Sequence, residues 1–231
     1  MVAERAPDLD VVATIRAGLV TVNGFPVRNP DSLVDARAVV AIRVPSSLQG
    51  ERKLAAALET FRVAVAGRVA VDVGAAAGGF TRALLAAGAR RVYAVDVGFG
   101  QLLGSLRQDP RVVTLERTNL AALSPALVPD PVGLVTIDVS YVSLAAAVPQ
   151  LAGLAFQPGA ELVALVKPMY ELGLSHLPAP DEAPRAVEVA RGPIEALGWQ
   201  VCGVMESPVR GHHGAVEFFL HARRAASVVG T

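Results

Sequence analysis

From Arg68 onward, short unbroken apolar runs alternate with stretches whose apolar residues recur at helical spacing. The runs are Val69–Val73, Arg91–Val97, Val112–Glu116, Leu134–Val139 and Glu161–Val166. Helical patterns follow the first run (Phe80, Ala83, Leu84, Ala87) and recur around Leu102–Gln108, Leu144–Leu154 and Ala183–Leu197. Continuous apolar strands separated by helices predict a mostly parallel sheet covered on both faces. The last two runs, Trp199–Met205 and Ala215–Ala222, are joined without a helix through Ser207–Gly214, which predicts a closing antiparallel pair. Trp199 and Cys202 are expected in its core. Upstream, Leu54, Leu58 and Phe61 share one face of a helix that starts at Lys53.

The first 47 residues follow a different rhythm. A short helix over Ala13–Gly18 precedes two strands around Asn23-Gly24, a strong hairpin signal. A third strand is expected over Ala38–Val44, then a linker through Pro45–Gly50. The expected organisation is a small α+β appendage over 1–47, a linker and leading helix over 48–61, an α/β domain over 62–225 and a tail over 226–231.

Composition sharpens this. The chain has 231 residues, 52% of them hydrophobic, with a mean hydropathy of +0.45, enough for a large core. The formal net charge is zero, and residues 1–52 balance six arginines against six acidic residues, so no basic face advertises nucleic acid. A single cysteine, Cys202, excludes an internal disulfide framework and favours a reducing compartment. The longest uncharged stretch, Val139–Ala160, is broken by Pro149 and Pro158 and predicts no membrane span. A cytoplasmic protein is expected. His212 and His213 sit in a glycine-flanked loop without an evident third ligand, so no metal site is expected.

The first strand carries Asp72 and runs into Gly74-Ala-Ala-Ala-Gly78-Gly79-Phe80. Strand, glycine turn and helix make the first half of a nucleotide-binding βαβ unit, in which glycines admit close backbone approach to a ligand. The spacing departs from the dinucleotide fingerprint. A carboxylate with this looser turn suits a cationic nucleoside, and S-adenosylmethionine is such a ligand. Ligands of these sheets bind beyond the carboxyl ends of the strands, where the sequence places Asp72, Gly74, Asp96, Asn119, Asp138 and Lys167. Asp96 lies 22 residues after Gly74, the position of a ribose-binding carboxylate. Asn119 is either an adenine contact or a turn residue.

Only two of the 21 basic residues are lysines, Lys53 and Lys167. A desolvated ammonium can give up its proton and a guanidinium cannot, so these two positions either escaped codon drift by chance or require an amine. Lys167 and Asp138 end very apolar strands, and Glu217 opens the last strand at the same sheet edge. Such a charged group in a cleft is more often functional than structural.

The stretches D-V-G-A-A-A-G-G-F, V-Y-A-V-D-V-G-F-G-Q-L, L-E-R-T-N, T-I-D-V-S-Y-V-S-L, L-V-K-P-M-Y-E and A-V-E-F-F-L-H-A-R resemble the TlyA group of FtsJ-type RNA methyltransferases. The resemblance covers about residues 11–224. It implies a Rossmann-like methyltransferase fold, a seven-stranded and mostly parallel sheet with a terminal antiparallel strand, joined to a truncated alpha-L RNA-binding domain. It implies S-adenosyl-L-methionine as cofactor, a ribose 2′-hydroxyl of ribosomal RNA as acceptor, and the ribosomal subunit as partner. The family's Lys-Asp-Lys-Glu tetrad falls on Lys53, Asp138, Lys167 and Glu217. Its cofactor contacts fall on Gly78, Phe80, Asp96, Asn119 and Asp138, beside the Asp72, Gly74 and Gly79 read from the turn. Lys167 is the expected proton acceptor, Asp138 its orienting partner, and Lys53 and Glu217 the groups that place the ribose. Two other readings stay open: a small-molecule O-methyltransferase that lost its RNA platform, and a non-catalytic ribosome-associated binding protein.

Overall fold

The computed structural model describes residues 12, 15, 20–35, 37–42, 46–179, 182–211 and 214–224. The chain divides into two compact units, Met1–Leu48 and Gln49–Thr231. In the first, β1 (Val20–Val22) is flanked by β2 (Phe25–Val27) and β3 (Val40–Ile42), both antiparallel to it. The hairpin turn forms as its residues dictate. Asn23 and Gly24 both take positive φ, 51° and 85°, the left-handed pair whose twist matches the strands. The Asn23 side-chain oxygen also accepts the Val39 N–H at 2.9 Å, tying β3 to the hairpin. Ile15, Val20 and Val40 make a small core. The helix expected over Ala13–Gly18 lies outside the described residues apart from Ile15, and His212 and His213 lie outside them too.

Helix α1 (Ser46–Thr60) runs across the division and contributes most of its length to the second unit. It starts well before Lys53 and absorbs the expected linker, so Lys53 sits in mid-helix rather than at a helix start. Lys53, Leu54, Ala57 and Leu58 are all buried and form its inward face. Seven strands follow, with β4 (Val69–Val73) central. On one side lie β5 (Arg91–Val95) and β6 (Val112–Leu115), on the other β7 (Val132–Ile137) and β8 (Phe156–Val166), all parallel. The last strand, β10 (Phe218–Arg224), inserts antiparallel between β8 and the edge strand β9 (Trp199–Glu206).

Two apolar clusters cover the two sheet faces. Val69, Val71 and Val73 point into one, Ala70 into the other with Val92, Leu134, Val163 and Phe219. This period-two division is why β4 reads as continuous apolar sequence. The helices are α2 (Gly79–Ala86), α3 (Gly104–Arg107), α4 (Leu144–Ala147), α5 (Pro168–Glu171) and α6 (Glu182–Ala196). The single helix expected over Leu144–Leu154 is instead α4 followed by a 3-10 segment, Val148–Gly153, because Pro149 removes an N–H donor at its start. Exposure alternates along β9: Trp199 is buried, but Cys202 is exposed rather than core.

Candidate active site

The glycine turn between β4 and α2 is shaped by two close contacts, one against backbone and one against side chains. Gly74 has φ 80°, and a Cβ there would lie 2.2 Å from the carbonyl oxygen of Asp138. Gly78 has φ 97°, and its Cβ would meet Leu106 Cδ1 at 2.1 Å. The turn thus lies flat against the end of β7 and the Leu102–Leu106 segment. Helix α1 approaches the same turn, with the Gly50 Cβ position 3.4 Å from the Gly79 Cα and 3.5 Å from the Phe80 ring. The helix bearing Lys53 thus lies against the turn at ordinary contact distance. Phe80 is buried in the core beneath, packed toward Phe219 with ring centroids 6.0 Å apart.

Asp72, expected to face the ligand, points into the protein. It is fully buried, with its oxygens accepting hydrogen bonds from Thr81 at 2.6 Å and Thr136 at 3.0 Å. It lies on the same sheet face as Ala70, beneath α2, and ties that helix to β4 and β7. Burial pushes its carboxyl up to about 7, against the opposing effect of the two threonine hydroxyls.

Asp96 follows β5 at the mouth of a narrow crevice lined by Val73, Gly74, Val95, Asp96, Val97, Thr118, Leu120 and Tyr141. Its carboxylate accepts N–H groups from Ala76 at 2.8 Å and Gly98 at 2.7 Å, so it also braces the glycine turn. Burial, then the charge of Asp96, raises the Tyr141 phenol above its ordinary range. Neither Tyr141 nor Thr118 stood out as an isolated residue; the strand-end rule, applied to the loops as well as the strands, would have found them. Asn119 is exposed and accepts the Ala121 N–H at 3.0 Å, capping a 3-10 turn over Leu120–Ala122. The turn-residue reading of Asn119 is the one its oxygen fulfils.

The two lysines form two ion pairs at one sheet edge. Lys53 Nζ lies 2.5 Å from Glu217 Oε2, both side chains almost wholly buried. Lys167 Nζ lies 2.5 Å from Asp138 Oδ1, without hydrogen-bond alignment, and donates to Ser140 Oγ at 2.6 Å. Pairing of Phe218 with Val166 brings the start of β10 beside the end of β8, so Glu217 and Lys167 emerge from adjacent strand ends. Asp138 follows β7, the next strand along, and its N–H bonds the Val73 carbonyl at 2.9 Å beside Gly74. The tetrad positions therefore converge from α1, β7, β8 and β10 beside the glycine turn. A buried pair between unrelated elements is poor value as a stabiliser, because desolvation offsets much of the attraction. Sequence reasoning missed Ser140 and Glu171, which hold the Lys167 region. Among the described residues, no cluster of His, Cys, Asp and Glu has the makings of a metal site, and no helix is long and apolar enough to cross a membrane.

Residues 49–224 match the model of the FtsJ-like methyltransferase family. The 16S/23S rRNA (cytidine-2'-O)-methyltransferase TlyA of Mycobacterium tuberculosis is 42% identical over 230 residues, covering 94% of this chain and 85% of that protein. A hemolysin-named protein of Streptococcus thermophilus superposes with TM-score 0.74 at 32% identity, covering 92% of this chain and 81% of that one. Magnesium protoporphyrin IX methyltransferase of Synechocystis, at 17% identity and TM-score 0.53, covers 84% of this chain and 90% of its own and shares the fold. A family match over most of the chain, joined to that identity with TlyA, makes this protein a member of the FtsJ-like methyltransferase family.

Proposed function

We propose that this methyltransferase moves a methyl group from S-adenosylmethionine to a ribose 2′-hydroxyl of ribosomal RNA. The observation that carries the reading is the convergence of two lysine–carboxylate pairs, Lys53–Glu217 and Asp138–Lys167, beside the Gly74 turn.

The residues of the crevice fit the donor. Gly74 and Gly78 let the turn pack closely on Asp138 and Leu106, Asp96 offers a carboxylate to sugar hydroxyls, and the Asp138 carboxylate suits a nearby cation. The sugar hydroxyls would share the Asp96 carboxylate with the Ala76 and Gly98 N–H groups that already bond it. When bound, the donor supplies an electrophilic methyl group already activated by its sulfonium charge.

What remains for the protein is alignment and proton removal. Lys53 and Glu217, buried and mutually fixed, position the ribose. Lys167, held between Asp138 and Ser140, is the group that would take the 2′-hydroxyl proton during methyl transfer. Asp138 then balances the ammonium. An arginine at 167 would keep the charge and lose the base, because guanidinium holds its proton.

Labelled methyl transfer to purified ribosomal subunits, run beside a small-molecule extract, is the test. Label in the RNA fraction is the expected result; label confined to the extract would select a small-molecule acceptor. The identity of TlyA as an rRNA methyltransferase supports the first outcome.

A further inference from the structure

Beyond the tetrad, the segment that follows Lys167 carries a carboxyl with no part in the chemistry above. Glu171 ends α5, the turn of helix capped by Lys167, and the N–H of Glu171 bonds the Lys167 carbonyl at 3.1 Å. Its side chain crosses to another element: Oε1 accepts the Leu144 N–H at 2.8 Å, at the first residue of α4. Ser143, the residue in the cap position, contributes no side-chain bond, so Glu171 supplies the cap that local sequence does not. Its second oxygen, Oε2, is buried and has no hydrogen-bond partner among the described residues. An unsatisfied buried oxygen is costly, yet the Leu144 N–H goes to Glu171 although a serine hydroxyl stands in the cap position. Burial pushes the carboxyl up to about 7, so the group is held where a carboxylate is unwelcome.

The loop that Glu171 anchors is the one that holds Lys167. Asp138 and Ser140 both touch the Lys167 amine, and both lie on the connection between β7 and α4. That connection is fixed at its start by the Asp138 N–H on the Val73 carbonyl and at its end by Leu144 on Glu171. Resting on the methyl-transfer reading, we infer that Glu171 is a positioning residue of the reaction, fixing the Asp138–Ser143 loop so that Asp138 and Ser140 aim the Lys167 amine. It touches neither donor nor acceptor. The cofactor crevice meets that loop only through Tyr141; Gly74, Asp96 and Thr118, which also line it, belong to other segments, so loss of the cap bears more on the Lys167 amine than on the cofactor.

The test compares Glu171→Gln, which keeps an acceptor, with Glu171→Met, which keeps the reach and removes it. Single-turnover transfer to ribosomal subunits and S-adenosylhomocysteine affinity are measured on the full chain. The glutamine variant is expected near the wild-type rate, while the methionine variant loses about tenfold or more in rate with a much smaller loss of cofactor affinity. Equal rates for wild type and Glu171→Met would overturn the inference, as would rate and cofactor affinity falling together in both variants. A second readout needs no acceptor substrate: the Leu144 amide resonance and its hydrogen exchange. Protection retained in the glutamine variant and lost in the methionine variant is expected, and protection unchanged in both refutes the clamp. If wild type labels no RNA, the function reading fails while the Leu144 measurement still judges the clamp.

Discussion

Asp72 shows how a residue read as a ligand contact becomes a structural proton site. With both oxygens on threonines under α2, it has no surface to offer the crevice. Its folded pKa, raised from 3.8 to about 7, means the native state holds a proton that the unfolded chain releases. The associated stability is therefore fully present below about pH 4 and is lost as pH rises through 7, a change of roughly 4 kcal/mol at the upper limit. Glu171, raised from 4.5 to about 7, acts with the same sign. Thermal melts from pH 5 to 8 should show wild type losing stability with pH, and Asp72→Asn, which keeps both threonine bonds, losing less. An unchanged slope in that variant would assign the carboxyl an ordinary pKa. At the chemical centre, Lys167→Arg is expected to bind the cofactor and to lose methyl transfer by two orders of magnitude or more, roughly the contribution of a general base. Transfer at the wild-type rate would remove Lys167 from the base role.

Among the elements, the glycine turn and the loop after β7 must be considered together, because the Gly74 position abuts the Asp138 carbonyl. Adding a methyl group there collides with backbone, which yields less readily than a side chain, at a positive φ that alanine also resists. Gly74→Ala should cost roughly 1–3 kcal/mol of stability and weaken cofactor binding. Gly78→Ala meets the tip of Leu106, which can rotate away, so its loss should be the smaller of the two by denaturant titration. The reverse order would mean that the turn, not β7, yields. Helix α1 is less demanding: a Cβ at Gly50 would meet Gly79 and the Phe80 ring at ordinary contact distance, while Lys53 on the same helix reaches Glu217.

For the molecule as a whole, the division at Leu48 and Gln49 separates a three-stranded unit from a seven-stranded one that contains the whole candidate site. Removing residues 1–48 is expected to leave a cooperatively melting domain that binds S-adenosylhomocysteine like the full chain but no longer labels ribosomal subunits. Retained labelling would show that the larger unit recognises RNA unaided. The larger unit has core on both sheet faces and needs no help from the first to bury its strands.

The alternation of apolar runs and helical spacings determined the sheet, its parallel character and the antiparallel close of the chain, because burial on both faces leaves a run that nothing else explains. Asn23-Gly24 likewise determined its hairpin, since left-handed backbone is a local property. The scarcity of lysine marked Lys53 and Lys167 before any geometry was known, and the register of β10 on β8 put Glu217 where the strand direction implied. Tertiary structure alone decided which way Asp72 faces, where α1 begins, and that Asn119 spends its oxygen on a turn. It alone revealed that Glu171 caps a helix 27 residues away in sequence. These outcomes depend on which groups meet across elements, and period and propensity along a chain carry no record of such meetings.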